Sequence, residues 1–169
     1  MRGVRRASRV VLLNGAGEVF LLHARDLHDD SRRWWLTCGG GAEMGETPEQ
    51  TAARELAEET GLVCEPGELL GPLATRRAVM EFSERTLHQD EVFYGLQCED
   101  EIDLADAVWT EVEKASIVGA RWWTRDELRA TSATVHPPRL IELMDLVLAG
   151  TAPDTPLDLD RGPDARMIP

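Results

Sequence analysis

Hydrophobic and polar residues alternate in short runs along most of this chain, a pattern that predicts strands. Residues 8–13 and 18–23 are rich in aliphatic and β-branched side chains, and the Asn-Gly-Ala-Gly turn between them predicts a β-hairpin. Residues 69–82 alternate enough for one or two strands, interrupted by Gly71-Pro72. Three further strands are predicted at 34–37, 91–97 and 119–123.

One helix is defined at both ends by its sequence. Thr47, Pro48 and Gln50 form a capping box, and Gly61 is a good left-handed stop. Shorter helical patterns begin at residue 124 and cover residues 138–148. Strands and helices in this order predict an α/β fold, an α/β/α sandwich with a mixed central β-sheet, over residues 1–150. Residues 151–169 are rich in Pro and Asp and predict a flexible C-terminal tail.

Composition and charge narrow the possible partners. A chain of 169 residues with 43% hydrophobic and 29% charged residues suits one globular domain. The net charge of −13 argues against binding to long nucleic acids, although it leaves a small phosphorylated substrate possible. The apolar runs are strand-sized, which predicts no membrane span. Cys38, Cys64 and Cys98 lack metal-ligand spacing, so we expect reduced thiols in a cytoplasmic protein. The single lysine among many arginines suggests a GC-rich bacterial genome.

Three glutamates are spaced so that the first helix gathers them on one face. Glu55, Glu58 and Glu59 lie at i, i+3 and i+4, where like charges repel one another. Arg54 can pair with Glu58 one turn on, which leaves Glu55 and Glu59 without a partner. A divalent cation resolves this repulsion, and hard carboxylate oxygens suit Mg²⁺, which in turn suits phosphate substrates.

The stretch from Gly40 to Leu62 resembles the Nudix box, the signature of the Nudix hydrolase superfamily. Every position of that pattern is present. The matching residues are Gly40, Glu46, Arg54, Glu55, Leu56, Glu58, Glu59, Gly61 and Leu62. The resemblance implies the same α/β/α fold and a pyrophosphohydrolase, which cleaves the diphosphate linkage of a nucleoside diphosphate joined to another group. A nucleoside triphosphate or a nucleotide-sugar-like compound is the expected substrate, and Mg²⁺ is the expected cofactor, with Mn²⁺ as a substitute.

The resemblance also implies roles for individual residues. Glu58, Glu59 and Glu55 are the expected metal ligands, joined by a backbone carbonyl of Gly39 or Gly40. Glu46 and Arg54 are expected to orient these ligands, and Glu58, Glu55, Arg54 and Glu46 are the expected catalytic residues of the box.

Residues outside the box are harder to assign. The general base can lie in the box or in a later loop, where Glu111 and Glu113 are candidates, and Glu91, early in its predicted strand, is a third candidate. We include Glu113 among the catalytic residues. Strand alternation points one of Trp34 and Trp35 inward and the other outward. We assign substrate binding to Trp35, together with Arg33, which can contact phosphates, and Gly41 in the glycine turn.

Two alternatives remain open at this stage. The same fold hosts isopentenyl diphosphate isomerases, whose metal site draws on several histidines and on a cysteine paired with a glutamate. The second alternative is a non-catalytic nucleotide-binding Nudix domain, in which box carboxylates are usually lost. The apolar final helix also makes a homodimer possible. Cys38 stands where relatives usually have proline before the double glycine.

Overall fold

The computed structural model describes residues 4–99 and 101–161 and shows a mixed sheet flanked by helices. Within these residues the strands are β1 (Arg5–Leu13), β2 (Val19–Arg25), β3 (Arg33–Leu36), β4 (Cys38–Gly41), β5 (Leu70–Glu81), β6 (Thr86–Gln97), β7 (Ile117–Trp123), β8 (Val135–His136) and β9 (Leu157–Asp158). The helices are α1 (Pro48–Thr60), α2 (Glu111–Ser116), α3 (Arg125–Ala130) and α4 (Leu140–Ala149).

Strand β1 is the central strand of the sheet. It pairs in parallel with β6 along its whole length, while its other edge pairs antiparallel with β4 and, at Leu13, with β2. The strands follow the order β8-β3-β2-β1-β6-β5-β9, with β7 added to β2. Parallel and antiparallel pairs therefore coexist, and the predicted mixed sheet is confirmed.

Alternate residues of β1 face two different helices. Val11 and Leu13 belong to a buried cluster with residues of α4, whereas Val10 and Leu12 belong to a second cluster with residues of α1. All four side chains are fully buried. Burial of one such aliphatic side chain contributes roughly 1.5–3 kcal/mol, so these two clusters hold the layers together. The predicted α/β/α sandwich is confirmed.

Three local predictions need adjustment. Strand β5 runs through Gly71-Pro72 as one strand, and β6 begins at Thr86 rather than at Glu91. The expected loop around Glu111 and Glu113 is the helix α2, which begins with a capping box at Thr110.

The segment after α4 packs against the domain. Strand β9 pairs in parallel with β5, Leu159 is fully buried, and Asp160 accepts a hydrogen bond from the Arg77 N–H at 2.8 Å. The prediction of a flexible tail therefore needs correction for residues 157–160, which pack against β5. An unpaired strand edge offers free N–H and C=O groups, and a buried leucine adds apolar contact. The rest of the predicted tail, residues 162–169, lies outside the described residues.

No helix in the described part of the chain is long and apolar enough to cross a membrane.

Candidate active site

Helix α1 carries the acidic residues of the site and is capped as its sequence predicts. The Thr47 hydroxyl accepts a hydrogen bond from the Gln50 N–H, and the Gln50 side chain accepts one from the Thr47 N–H. Gly61 ends the helix with a φ of 77°, in the left-handed region that favours glycine. Ala52 and Leu56 are fully buried against the sheet. The helix therefore presents its carboxylates from a fixed position.

The glycines of β4 let the backbone lie directly against those carboxylates. The Gly39 N–H donates to Glu59 Oε2 at 2.6 Å, and Gly39 itself has a φ of 140°. A Cβ atom at Gly40 would lie only 2.5 Å from the Glu55 carboxylate. Any larger residue at Gly40 would displace the Glu55 side chain, so the double glycine is a requirement of this packing.

Three carboxylates form what we call the acidic group: Glu55, Glu59 and Glu113. One oxygen from each lies within 4.8 Å of the others. Glu55 and Glu59 are buried, with exposed fractions of 7% and 5%. Burial raises the pKa of Glu59 to about 8 against the opposing effect of the Gly39 N–H. It raises the pKa of Glu55 as well, against the charge of Arg54. Buried like charges at this distance are the arrangement that a divalent cation stabilises.

Glu113 comes from α2, far from the box in sequence. The Thr110 N–H and hydroxyl donate to Glu113 Oε2 at 2.7 and 2.9 Å, which holds this carboxylate at the start of the helix. Its neighbour Glu111 points elsewhere and pairs with Lys114. The structure thus places one of the three acids proposed outside the box beside Glu55 and Glu59.

Arg54 connects the glutamates of α1 with the glycine turn. It donates to Glu46 through Nε at 2.6 Å and through Nη2 at 3.0 Å, and to the Gly41 carbonyl at 2.9 Å. Its Nη1 donates to both Glu55 and Glu58, at 3.0 and 3.1 Å. The expected pairing with Glu58 is present, but Glu55 is not without a partner, because the same nitrogen serves both glutamates.

Glu46 is the main counterion of this arginine. The bonds from Arg54 lower the pKa of Glu46 to about 2, with further bonds from the Glu43 N–H and the Thr51 hydroxyl. The hydrogen bonds to Glu46 in turn raise the pKa of Arg54. This geometry suits the predicted orienting role of the pair.

The acidic group lies in a cleft of about 430 Å³ that also contains aromatic and cationic side chains. Trp34 and Phe82, which we call the aromatic pair, meet edge to face with ring centroids 5.9 Å apart. Arg5 and Arg85, which we call the arginine pair, line the same cleft. Carboxylates, guanidinium groups and aromatic rings therefore share one cavity.

Comparison with known proteins identifies the family. The model of the NUDIX domain matches residues 3–144 of this chain. The chain belongs to the Nudix family. The identification made from Gly40 to Leu62 is confirmed.

The individual matches differ in what they cover. An RNA pyrophosphohydrolase of Roseobacter denitrificans is 44% identical over 61 residues, which are 36% of this chain and 36% of that relative. The match thus spans about a third of the length of that relative. A Nudix hydrolase from Nitrosomonas europaea has the same fold, with a TM-score of 0.59 and 20% identity over 89% of this chain and 92% of that structure. The Nudix domain of Shewanella oneidensis NrtR, solved with ADP ribose, has a TM-score of 0.59 at 16% identity over 88% and 89% of the two chains.

Within the Nudix box, Glu58 differs from the other predicted ligands. Its side chain is 40% exposed, and it lies outside the acidic group in this structure. It shares Arg54 Nη1 with Glu55, so its carboxylate borders the site. The role of Glu58 stays a prediction, as does that of a Gly40 carbonyl.

The assignment of substrate binding to Trp35 is not supported by its position. Trp35 stacks on His23 with ring centroids 4.2 Å apart and meets Trp123 edge to face, among residues of the α4 side of the sheet. Its neighbour Trp34 lines the cleft instead. Alternation in β3 requires opposite directions for the two rings, and the sequence gives no indication of which side holds the cleft.

The other predicted substrate residues have structural partners. Arg33 pairs with Asp30 at 2.8 Å and is not among the residues that line the cleft. Gly41 accepts from Arg54 and leaves room for the Arg5 guanidinium, which a Cβ atom at this position would overlap. Gly41 therefore acts on the cleft through Arg5.

Glu91 and Cys38 are both buried and contribute to the structure of the domain. Glu91 is buried and accepts hydrogen bonds from Arg9 at 3.1 Å and from Gln89 at 2.8 Å. Arg9 in turn donates to the Gly39 carbonyl at 3.0 Å, so this ion pair supports the glycine turn. Cys38 is fully buried in the cluster on the α1 side, and burial raises the pKa of its thiol.

Proposed function

We propose that this Nudix domain is a metal-dependent pyrophosphohydrolase that cleaves the diphosphate linkage of a nucleoside diphosphate derivative. The observation that carries the proposal is the acidic group, because its three convergent carboxylates open into a cleft that also holds arginine and aromatic side chains. Such a substrate needs oxygen ligands for a hard cation, guanidinium groups for its phosphates and aromatic rings for its base.

The donor set fits Mg²⁺, with Mn²⁺ as a substitute. Glu55, Glu59 and Glu113 would hold the ion through carboxylate oxygens, the ligand type that both metals prefer. Such an ion supplies charge neutralisation at the diphosphate and lowers the pKa of a bound water. Glu46 and Arg54 keep Glu55 in place by the contacts described above.

Glu58 is the residue of the box that we propose as the general base. One of its oxygens accepts from Arg54, and its partial exposure lets the carboxylate contact a water molecule beside the acidic group. A proton taken from that water would reside on the Glu58 carboxylate while the water oxygen attacks phosphorus, and the bridging P–O bond would break with its electron pair leaving on the departing phosphate group. Phosphoryl transfer needs alignment and charge stabilisation more than covalent help from side chains, and the fixed site provides both.

The aromatic pair is the proposed binding place for the nucleobase. Trp34 projects from β3, and Phe82 projects from the turn after β5. A flat base can stack on either ring, which is worth about 1–3 kcal/mol and tolerates different bases.

The two alternatives fit this site less well. In the described residues, the acidic group contains carboxylates alone, with neither the histidines nor the cysteine that an isomerase-like metal site requires. A non-catalytic binding domain has no need for these carboxylates. The RNA pyrophosphohydrolase relative makes the 5′ end of an RNA a further substrate to test, although the net charge of −13 disfavours extended contacts with RNA.

The homodimer and the cytoplasmic location stay predictions. Most apolar residues of α4 pack inside the domain, and Leu148 is the large hydrophobic residue that this helix exposes. The face that suggested a dimer is therefore smaller than its sequence indicated. Sedimentation at high micromolar concentration measures the oligomeric state.

Chromatographic detection of the products tests the proposed function, because a triphosphate releases phosphate or pyrophosphate, whereas ADP-ribose and nucleotide sugars yield a nucleoside monophosphate and a sugar phosphate. The substrates are nucleoside triphosphates, ADP-ribose, nucleotide sugars and a 5′-triphosphorylated oligoribonucleotide, each with Mg²⁺, with Mn²⁺ and with chelator. We expect metal-dependent turnover of one class, and a loss of about 1,000-fold or more in Glu59→Gln. Glu111→Gln is the matched control, because Glu111 is an exposed acid of the same helix as Glu113 and is paired with Lys114. Turnover that survives chelation, or an equal loss in both variants, would refute the proposal.

A further inference from the structure

Arginines of this protein are almost all paired with carboxylates. Among the described residues, the exceptions to such ion pairing are Arg5, Arg6 and Arg85. The chain carries a net charge of −13, so carboxylates are abundant. Two of the three exceptions, Arg5 and Arg85, line the cleft of the acidic group.

Arg5 lies next to the acidic group. It begins β1, and its guanidinium occupies the space that the missing side chain of Gly41 leaves free. Glu55 and Glu113 line the same cleft as Arg5, yet neither forms an ion pair with it.

Arg85 approaches the same space from the turn between β5 and β6. Its guanidinium carbon lies 5.6 Å from the centre of the Phe82 ring, so it adjoins the aromatic pair. Partial loss of hydration at the guanidinium lowers the pKa of Arg5, and the charges of Arg9 and Arg85 lower it further. Two guanidinium groups that repel each other in one cleft would be stabilised by an anion between them.

We propose that Arg5 and Arg85 bind the phosphoryl group that the metal site does not neutralise, and that they favour a nucleoside triphosphate over a nucleotide sugar. This inference rests on the proposed function. Near neutral pH a triphosphate carries about two more negative charges than a diphosphate diester such as a nucleotide sugar, because its terminal phosphate ionises twice. Two guanidinium groups match that difference, and each can donate two parallel hydrogen bonds to phosphate oxygens.

Steady-state kinetics on two substrates test the specificity. For Arg5→Gln and Arg85→Gln we expect kcat/KM to fall by about 10- to 100-fold with ATP and by about threefold or less with ADP-ribose. Arg6→Gln is the matched control, since it removes the same charge from the neighbouring position of β1. Arg6 is exposed and unpaired, and it is not among the residues that line the cleft. We expect Arg6→Gln to stay within about twofold of the parent for both substrates.

Two kinetic outcomes would overturn the inference. An equal loss with ATP and ADP-ribose would mean that the arginines contribute no preference for the triphosphate. A loss in Arg6→Gln as large as in Arg5→Gln would mean that general charge attraction, not the cleft, is responsible.

A binding measurement separates this inference from the proposed function. Calorimetric titration with inorganic tripolyphosphate in the presence of chelator needs no metal and no turnover. We expect the Arg5→Gln/Arg85→Gln double variant to bind at least about tenfold more weakly than the parent and Arg6→Gln. Equal tripolyphosphate binding by all three proteins would overturn the proposal that Arg5 and Arg85 bind phosphate. If the double variant loses binding and the parent hydrolyses none of the substrates, phosphate binding by the arginine pair is supported and the proposed hydrolase activity is refuted. Matching melting curves confirm that the variants are folded.

Discussion

The acidic group and the arginine pair are charged clusters of the same cleft, but they are held in different ways. Glu55 and Glu59 are buried, bonded to Arg54 and to the Gly39 N–H, and carried by a helix that is capped at both ends. Arg5 and Arg85 are exposed and lack ion-pair partners among the described residues. Under the proposed function, the fold would fix the position of the metal, whereas the contacts of the arginine pair with the substrate would form when it binds.

Among the variants that test this comparison, we expect the largest loss of activity when Glu113, the third carboxylate of the acidic group, is neutralised. Glu113→Gln should lower metal-dependent turnover by about 100-fold or more, because one of the three oxygens of the acidic group loses its charge. The capping bonds from Thr110 can be kept by the amide oxygen. Turnover as a function of Mn²⁺ concentration measures the change, and we expect a weaker apparent affinity for the metal.

Glu111→Gln again provides the reference for that experiment. It removes an acid from the same short helix while the acidic group stays intact. Parallel metal titrations of the two variants that coincide would contradict the assignment of Glu113.

Crowding at the double glycine should have the next largest effect. Gly40→Ala would place a Cβ atom 2.5 Å from the Glu55 carboxylate, so we expect about 10- to 100-fold lower kcat with a smaller change in Tm. Gly67→Ala is the control, since a Cβ atom there meets nothing within 4 Å. If Gly40→Ala keeps full activity, the close contact between Gly40 and Glu55 is not required for catalysis.

Local sequence signals predicted the elements whose causes are local. The hairpin of β1 and β2, both caps of α1 and the strand before the glycine turn follow from residues adjacent in sequence. The Nudix box likewise places its carboxylates by helical spacing alone. For these features a single amino-acid sequence carries enough information to predict the local structure.

Features that depend on how distant elements meet were not predictable from the sequence. The sequence offers Glu113 as one of three candidate bases, but its place beside Glu55 and Glu59 depends on how the segment before α2 contacts α1, where the Trp109 Nε1–H donates to the Glu59 carbonyl at 3.1 Å. Trp34, rather than Trp35, faces the cleft because β3 pairs with β2 in the register that sets Trp35 beside His23. The docking of β9 on β5 likewise depends on a free strand edge that exists only in the folded sheet.

The two neighbouring tryptophans provide a smaller and sharper test. Trp34→Ala should raise KM by about tenfold with little change in Tm, because it removes half of the aromatic pair at the edge of the cleft. Trp35→Ala should instead destabilise the fold by about 3–5 kcal/mol, because its ring packs between His23 and Trp123. Kinetics and chemical denaturation of both variants measure the contrast. The reverse pattern would restore the original assignment of Trp35 to the substrate.

The smallest expected effect is on stability, and it comes from Asp26, which joins two loops beside the arginine pair. Its buried carboxylate accepts hydrogen bonds from the His28 N–H at 2.9 Å and from the Ser83 N–H at 2.8 Å. It thereby ties the loop after β2 to the turn that carries Phe82 and Arg85. These backbone bonds lower the pKa of Asp26 to about 2.

A carboxyl whose pKa is lowered by folding stabilises the protein above its unfolded pKa of about 4 and loses that contribution as the pH falls toward 2. Asp26→Asn should therefore lower Tm by about 2–4 °C at pH 7, and the difference from the parent should shrink between about pH 4 and 2. Asp126→Asn, at an exposed position of α3, should show no such trend. A Tm difference for Asp26→Asn that stays constant down to pH 2.5 would mean that the charge of Asp26 contributes nothing. The loops at this end of the cleft would then depend on packing alone.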